Sequence, residues 1–506
     1  MNYADLFRVT LPETALEVAA LLVLVVDLAF LRNVAQSVRA MTAAVLGVIG
    51  CVFGLWFVLT VGPGGLSAGS ELLLATGGSA TVAQSGILVL TALTLLLLVD
   101  SHFTRHVGEF VAVVLMSAAG GLLIASAQDL LVIFIGLELL SLGLYVLTAF
   151  AKQSGKSAEA SIKYYLFGGM SAAFLLFGFS YLYGLTGSTN LRDLMQGIHH
   201  TTAPGADALL LVALVMIAAG LGFKVAAVPF HLWAPDTYEG APAPAAAFIA
   251  SVSKVASFAL LISIGAAGLQ AIENTPAASG YETFTGPWSV VLIILSLASM
   301  LVGNLAALAQ ISVRRLLAYS AIAHAGYMLL ALAFLSHTNA SANAVLYYIL
   351  TYGLTTIGAF GAVGAVERAT GSDRMDAFLG LHKRNPLLAA VLLVLFLSLA
   401  GIPPLVGFWA KFNLFAAVLA VGAGWVPFAL VALAVAMSAV SLYYYLQVLK
   451  RAYVMPAADD PRDRNERVKV HPVTMIVLLL IAAAVVVMGC LPALLQNWIA
   501  GINPAL

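Results

Sequence analysis

The sequence predicts an all-α polytopic membrane protein of about fourteen transmembrane helices, two of them broken. Three observations predict it. Hydrophobic residues make up 62% of the 506 residues and charged residues only 9%. A soluble domain carries roughly 25% charged residues, so most of this surface must face lipid. Apolar runs of about 20 residues, the length needed to cross a bilayer, recur along the whole chain. The ten-residue alternation of a membrane barrel is absent, which leaves a helical bundle.

In chain order the runs are 13–31, 41–60, 84–101, 107–126, 129–150, 161–184, 207–228, 243–267, 287–310, 316–336, 343–366, 387–421, 426–449 and 473–495. The first follows Met1-Asn2-Tyr3-Ala4-Asp5, which has no basic stretch, so it is expected to remain as a helix rather than be cleaved. The seventh runs into Val228-Pro229 and the twelfth contains Pro403-Pro404. Proline removes a backbone donor and opens a helix. Such breaks are tolerated at membrane depth where they line a cavity or face protein.

Seventeen of the 23 Lys and Arg residues, from Arg32 and Arg39 to Arg467 and Lys469, fall in alternate connections on one side. The other side holds Arg8 and Arg192. The positive-inside rule makes the first side cytoplasmic. Both termini are then periplasmic, as an even helix count requires, and the expected location is a bacterial inner membrane. Net charge is zero, which suggests no nucleic-acid partner. Cys51 and Cys490 sit in apolar runs without metal or redox spacing. The polar stretch Pro456–Pro472 reads as a solvated connector.

Four basic residues remain, all in or at the edge of apolar runs: Lys163, Lys224, Lys254 and Lys411, in helices six, seven, eight and twelve. Glu138 stands in the middle of helix five. A charge at the bilayer centre costs at least ~2.5–3.5 kcal/mol. One explanation is structural, with ion pairs pinning helices or lysines reaching to an interface. An excess of lysine at that depth fits proton transfer better, because a desolvated lysine exchanges a proton more readily than a solvated one. His324 in helix ten and His231 after helix seven are either packing residues or relay groups. No third ligand accompanies either, so metal binding is not expected.

Glu138 and His324 are 186 residues apart, and Lys224 and Lys411 are 187 apart. The matching offsets suggest two related five-helix units. Five is odd, so the second would be inverted, a common transporter design. The expected organisation is helices one to three over 1–106, a first unit over 107–267, an inverted second unit over 287–449, and a connector with the last helix over 450–506.

Three segments carry a family resemblance. They are Lys224-Val225-Ala226-Ala227-Val228-Pro229-Phe230-His231-Leu232-Trp233-Ala234-Pro235-Asp236 continuing to Pro242, Arg314-Arg315-Leu316 running into His324-Ala325-Gly326-Tyr327, and Gly401-Ile402-Pro403-Pro404 with Gly407 and Lys411. Leu11-Pro12-Glu13 is a minor fourth. With these the chain resembles the antiporter-like membrane subunits of respiratory complex I (proton-translocating NADH–quinone oxidoreductase) and of multi-subunit Na⁺/H⁺ antiporters. Within that family it looks most like the N-type subunits. Lys411, where the M type has glutamate, argues against M; the end at Leu506 without a long lateral helix argues against L.

The resemblance implies fourteen helices in two inverted units. It also implies a membrane-arm subunit of an oxidoreductase that translocates protons while quinone reduction in partner subunits supplies the energy. Glu138 would be the charged partner, Lys224 the central pump lysine, Lys254 the connecting residue and Lys411 the exit-side residue. Lys163 would be the helix-six lysine, and His231 and His324 relay histidines. No cofactor is implied in this chain; NADH, FMN, iron–sulfur clusters and quinone would belong to partners. Competing readings are the equivalent subunit of a cation/proton antiporter, a purely structural scaffold, and a stand-alone enzyme, which no nucleophile–base pair or cofactor loop supports.

Overall fold

The computed structural model describes residues 3–61, 73–100, 103–200, 205–265, 286–335, 339–421, 424–456 and 467–503. The centre of the Pro456–Pro472 connector, with Arg462 and Arg464, lies outside them. Every element of substance is helical. In order they are α1 Tyr3–Val9, α2 Leu11–Ala29, α3 Gln36–Thr60, α4 Gly78–Leu98, α5 Val107–Ser126, α6 Leu130–Thr148, α7 Gly155–Thr186, α8 Leu191–His200, α9 Ala206–Val225 and α10 Trp233–Gly240. They continue as α11 Ala243–Ile264, α12 Pro287–Leu308, α13 Val313–Leu332, α14 Asn339–Thr370, α15 Leu381–Arg384, α16 Pro386–Ala400, α17 Val406–Leu419, α18 Trp425–Tyr453, α19 Pro472–Cys490 and α20 Ala493–Ile502.

Among the described residues, twelve of these are each long and apolar enough to cross a membrane, and α1 with α2, bent by 67°, makes a thirteenth. The run 387–421 is the pair of shorter apolar helices α16 and α17, which accounts for the predicted broken span. Five short helices had no counterpart in the apolar runs: α1, α8, α10, α15 and α20. They are too short to span and lie at the ends of spans, where apolar run length carries no signal.

Local chemistry sets the boundaries. Asp129 caps α6, its Oδ1 accepting from the backbone N–H of Leu131 at 2.8 Å. Ser312 caps α13 by accepting from Arg315 N–H at 3.1 Å, and Asn385 caps α16 by accepting from Leu388 N–H at 3.0 Å. Each satisfies a donor that the first turn of a helix leaves free. Pro244, Pro287 and Pro386 stand in the first turn of their helices, where the missing N–H costs nothing.

Burial separates a centre from a lipid-facing belt. α11, α13 and most of α14 are buried along their length. Leu21, Ile135, Leu166 and Leu480 are exposed; on a chain of this composition such surface faces hydrocarbon.

The first helices are pinned by a buried ion pair. Arg39 of α3 donates through Nε and Nη2 to the two carboxylate oxygens of Asp27 of α2, at 2.7 and 2.6 Å. Asp27 is buried, and α5 crosses so close that a Cβ on Gly108 would stand 2.6 Å from its Oδ2. Gly108→Ala is therefore expected to destabilise the folded chain by about 1–3 kcal/mol. Thermal unfolding of the detergent-extracted protein checks this; an unchanged midpoint would show that the three helices can separate freely.

Candidate functional site

Five of the titratable residues picked out by sequence, Lys224, His231, Lys254, His324 and Lys411, sit at the two helix breaks or between them. The first break follows Lys224, in the last turn of α9. Ala226 then takes φ +59°, the one non-glycine among the described residues in the left-handed region. That conformation costs of order 1–3 kcal/mol and persists only where surrounding structure imposes it. Trp233 holds the turn shut by donating from Nε1 to Phe223 O at 3.0 Å and stacking on Tyr164 of α7 at 4.3 Å. The chain resumes as α10. The second break lies between α16, closed by Gly401 at φ +89°, and α17, which carries Lys411 in its second turn. Both breaks hold a cis X-Pro bond, Val228-Pro229 and Pro403-Pro404.

Three lysines are buried: Lys224 is 7% exposed, Lys254 1% and Lys411 5%. None has a carboxylate within 4.0 Å among the described residues. Their partners are neutral. Lys224 Nζ donates to Ser141 Oγ of α6 at 2.5 Å, and that hydroxyl donates in turn to Leu137 O. Lys254 Nζ on α11 donates to Ala321 O of α13 at 2.5 Å. Lys411 Nζ donates to Ala400 O at 2.9 Å and to Ser438 Oγ of α18 at 2.8 Å. A hydroxyl or carbonyl oxygen accepts from an ammonium or from a neutral amine, so both protonation states keep the contact.

His324 of α13 joins the last two lysines. Its Nδ1 lies 2.7 Å from Tyr348 Oη, while its Nε2 is buried without a partner among the described residues. Its ring lies 4.9 Å from Tyr352 and 5.9 Å from Tyr327. Lys254 Nζ stands 5.7 Å from the Tyr352 ring, and Lys411 Nζ 5.6 Å from the Tyr327 ring. A cavity of about 10 Å³ beside His324, Tyr352, Ser398 and Gly407 has room for about one water molecule. The order across the centre is Lys254, Tyr352, His324, Tyr327, Lys411.

Three of the predicted residues lie outside this buried row. Glu138 is half-buried, on the same face of α6 as the exposed Leu131, Ile135 and Leu142. It makes no ion pair with Lys224 within 4.0 Å; the lysine donates to Ser141 instead. Lys163 is outside the buried set: its Nζ pairs with Asp236 and Glu159, each at 2.7 Å. His231 lies in the turn between α9 and α10, apart from His324; burial holds its imidazole below the ordinary value, partly offset by a hydrogen bond with the Pro229 backbone. Among the described residues no three or more of His, Cys, Asp and Glu are grouped to hold a metal.

The family model described as NADH:quinone oxidoreductase/Mrp antiporter, TM matches residues 127–438. The chain belongs to this antiporter-like family. It is 46% identical to NADH-quinone oxidoreductase subunit N 2 of Acidobacterium capsulatum, over 99% of both chains. Among solved structures it is similar to a chain of respiratory complex I from Thermus thermophilus, with 33% identity, a TM-score of 0.75, and coverage of 96% of this chain and 98% of that one. A chain of the Mrp complex from Dietzia sp. shares the fold, with 22% identity and a TM-score of 0.80, and is covered over 52% of its length against 98% of this chain.

Within this family member the partners of the lysines were the part that residue-by-residue reading missed. Ser141 and Ser438 are hydroxyls in apolar runs, with no charge to draw attention. Ser141 follows Glu138 by three positions, so helical spacing was the available signal. Tyr352 carried none, because aromatic residues are common in any core.

Proposed function

We propose that the chain is the N-type, proton-translocating membrane-arm subunit of an NADH–quinone oxidoreductase, and that Glu138, Lys224, Lys254, His324 and Lys411 carry the proton transfer. The observation that carries this reading is the set of three buried lysines held by neutral partners in register with two helix breaks. A structural role would pair such charges with carboxylates. Groups that keep their contacts when they lose or gain a proton suit a relay. The full-length similarity to a subunit N favours the oxidoreductase over an antiporter complex.

In this reading the two breaks are the movable points. Lys224 takes up a proton beside the first break and passes it toward Lys254 and His324; Lys411 releases it beside the second. His231, in the first turn, and Lys163, at the cytoplasmic mouth, serve uptake. The units 107–267 and 287–449 are the two inverted halves that meet at α11 and α13. A membrane potential opposes each proton by about 2.3 kcal/mol per 100 mV. Redox chemistry with NADH, FMN, iron–sulfur clusters and quinone in partner subunits supplies that work. Glu138 supports the need for a partner: on an outward face of α6, it would otherwise meet lipid. The excess of Lys and Arg on one side supports a location in a bacterial inner membrane with both termini periplasmic.

Gentle extraction of the tagged chain, followed by a native gel stained for NADH oxidation, tests the assignment. The chain is expected to migrate in a large assembly that oxidises NADH. Migration in a smaller assembly without that activity would hand the function to cation/proton exchange.

A further inference from the structure

The relay leaves the two carboxylates of α10 and the arginine they share without a role. α10, the half of the broken helix beyond the turn, carries two carboxylates, Asp236 and Glu239, and both are shared between cations from different helices. Asp236 Oδ2 accepts from Lys163 of α7 at 2.7 Å, and its Oδ1 accepts from Arg315 Nη1 of α13 at 2.6 Å. Glu239 Oε1 accepts from Lys156 of α7 at 2.8 Å, and its Oε2 accepts from the same Arg315 Nη1 at 3.0 Å. Gln310 Oε1 accepts from Arg315 Nε at 3.3 Å. Next to it Arg314 donates to the carbonyl of Ala241, the residue that ends α10, and pairs with Glu367 of α14 at 3.2 Å.

We propose that Arg315 is a positioning residue for proton transfer: its bond to both α10 carboxylates fixes α10, and with it the break beside Lys224, to the helix that carries His324. The inference rests on the relay reading above. Four facts support it. The two acids are the charged side chains on α10 that these pairs hold, and they have one set of partners on α7 and another on α13. In the two-unit reading above, α7 and α13 belong to different halves, so α10 is clasped between them. Arg315 and His324 lie nine residues apart on α13, about 13.5 Å along its axis, so a shift of α13 moves both. Arg315 also stands in the first turn of α13, its N–H bonded to the Ser312 cap.

Charge chemistry keeps the clasp closed in the working range. Burial pushes the Asp236 carboxyl up, but hydrogen bonds from Lys163 and Arg315 outweigh it and hold the group below the usual carboxylate range. Glu239 behaves likewise, with Lys156 and Arg315 outweighing burial. Both pairs are thus present at neutral pH and are lost as pH falls through these lowered values. The ionisable groups facing them are Lys156, Lys163 and Arg315, with Glu159 on Lys163 and with Glu367 and Asp373 near Lys156. Removing Arg315 leaves three acids on two cations there, so Asp236 and Glu239 protonate at higher pH.

The test uses the assembled complex in sealed membrane vesicles, with proton uptake per NADH oxidised as readout. Arg315→Gln is expected to assemble, to oxidise NADH, and to lower that ratio by roughly 2- to 30-fold, the range for coupling through a shared element. The acid limb of its pH profile should move up. Arg315→Lys keeps one cation and should restore part of the ratio. An unchanged ratio and pH profile in Arg315→Gln would overturn the proposal. So would loss of the assembled complex in both variants, which would make Arg315 a folding residue. Lys224→Ala in the same vesicles separates the two readings: if it pumps normally the relay fails, whereas if it does not pump and Arg315→Gln does, only the role of Arg315 fails.

Discussion

Replacing Lys224 by alanine is expected to leave an assembled complex that reduces an artificial electron acceptor but moves protons roughly 10²-fold more slowly, the low end for a positioned proton-transfer side chain. Lys224 is the lysine in the last turn before the first break, and Ser141 Oγ is its hydrogen-bond partner. Alanine removes the carrier and leaves the hydroxyl with its bond to Leu137 O, so the local cost to folding is small. Lys224→Arg is the sharper variant. A guanidinium keeps the charge but cannot release its proton, so this variant should also fail to pump. Restored pumping with arginine would show that Lys224 serves as a fixed charge, and the relay would have to run elsewhere. Proton uptake by sealed vesicles, measured against the applied NADH, reads both.

Gly407→Ala is expected to cost about 3 kcal/mol or to prevent accumulation of the folded chain, at the upper end for overpacking. A Cβ at this position would stand 1.9 Å from the carbonyl oxygen of Ser398 and 2.7 Å from its carbon. Both are backbone atoms of the last turn of α16, so no rotamer change relieves the contact. The two halves of the broken helix would have to part, and the small cavity beside His324, which Gly407 and Ser398 both line, would open with them. Level in the membrane and thermal midpoint of the extracted complex are the measurements. Wild-type values for both would mean that α16 and α17 are not held in this close approach.

Much of the architecture was legible because the bilayer acts on composition and length. Apolar runs of spanning length and a one-sided distribution of Lys and Arg follow directly from the cost of placing charge in hydrocarbon. The same cost singled out Lys224, Lys254, Lys411 and His324, and the structure buries all four. Lys163 shows the limit of that argument. In a linear reading it is one more lysine at the edge of an apolar run, yet it pairs with Asp236, 73 positions further on. Glu138 shows a second limit, since an apolar run does not tell which side of a helix faces outward when neighbours are equally apolar.

The sequence by itself determined the class of the protein, the positions of its spans and breaks, and which ionisable side chains stand within apolar runs. These properties depend on each segment and its solvent, and a segment carries them wherever it packs. Only the tertiary structure decided the partners: Ser141 for Lys224, Ala321 O for Lys254, Ser438 for Lys411, the tyrosines around His324, and Arg315 shared by Asp236 and Glu239. These contacts join helices far apart in the chain through short-range hydrogen bonds and ion pairs. Which groups come within 3 Å is fixed by how the helices pack, and hydropathy, which is nearly uniform along them, does not encode it.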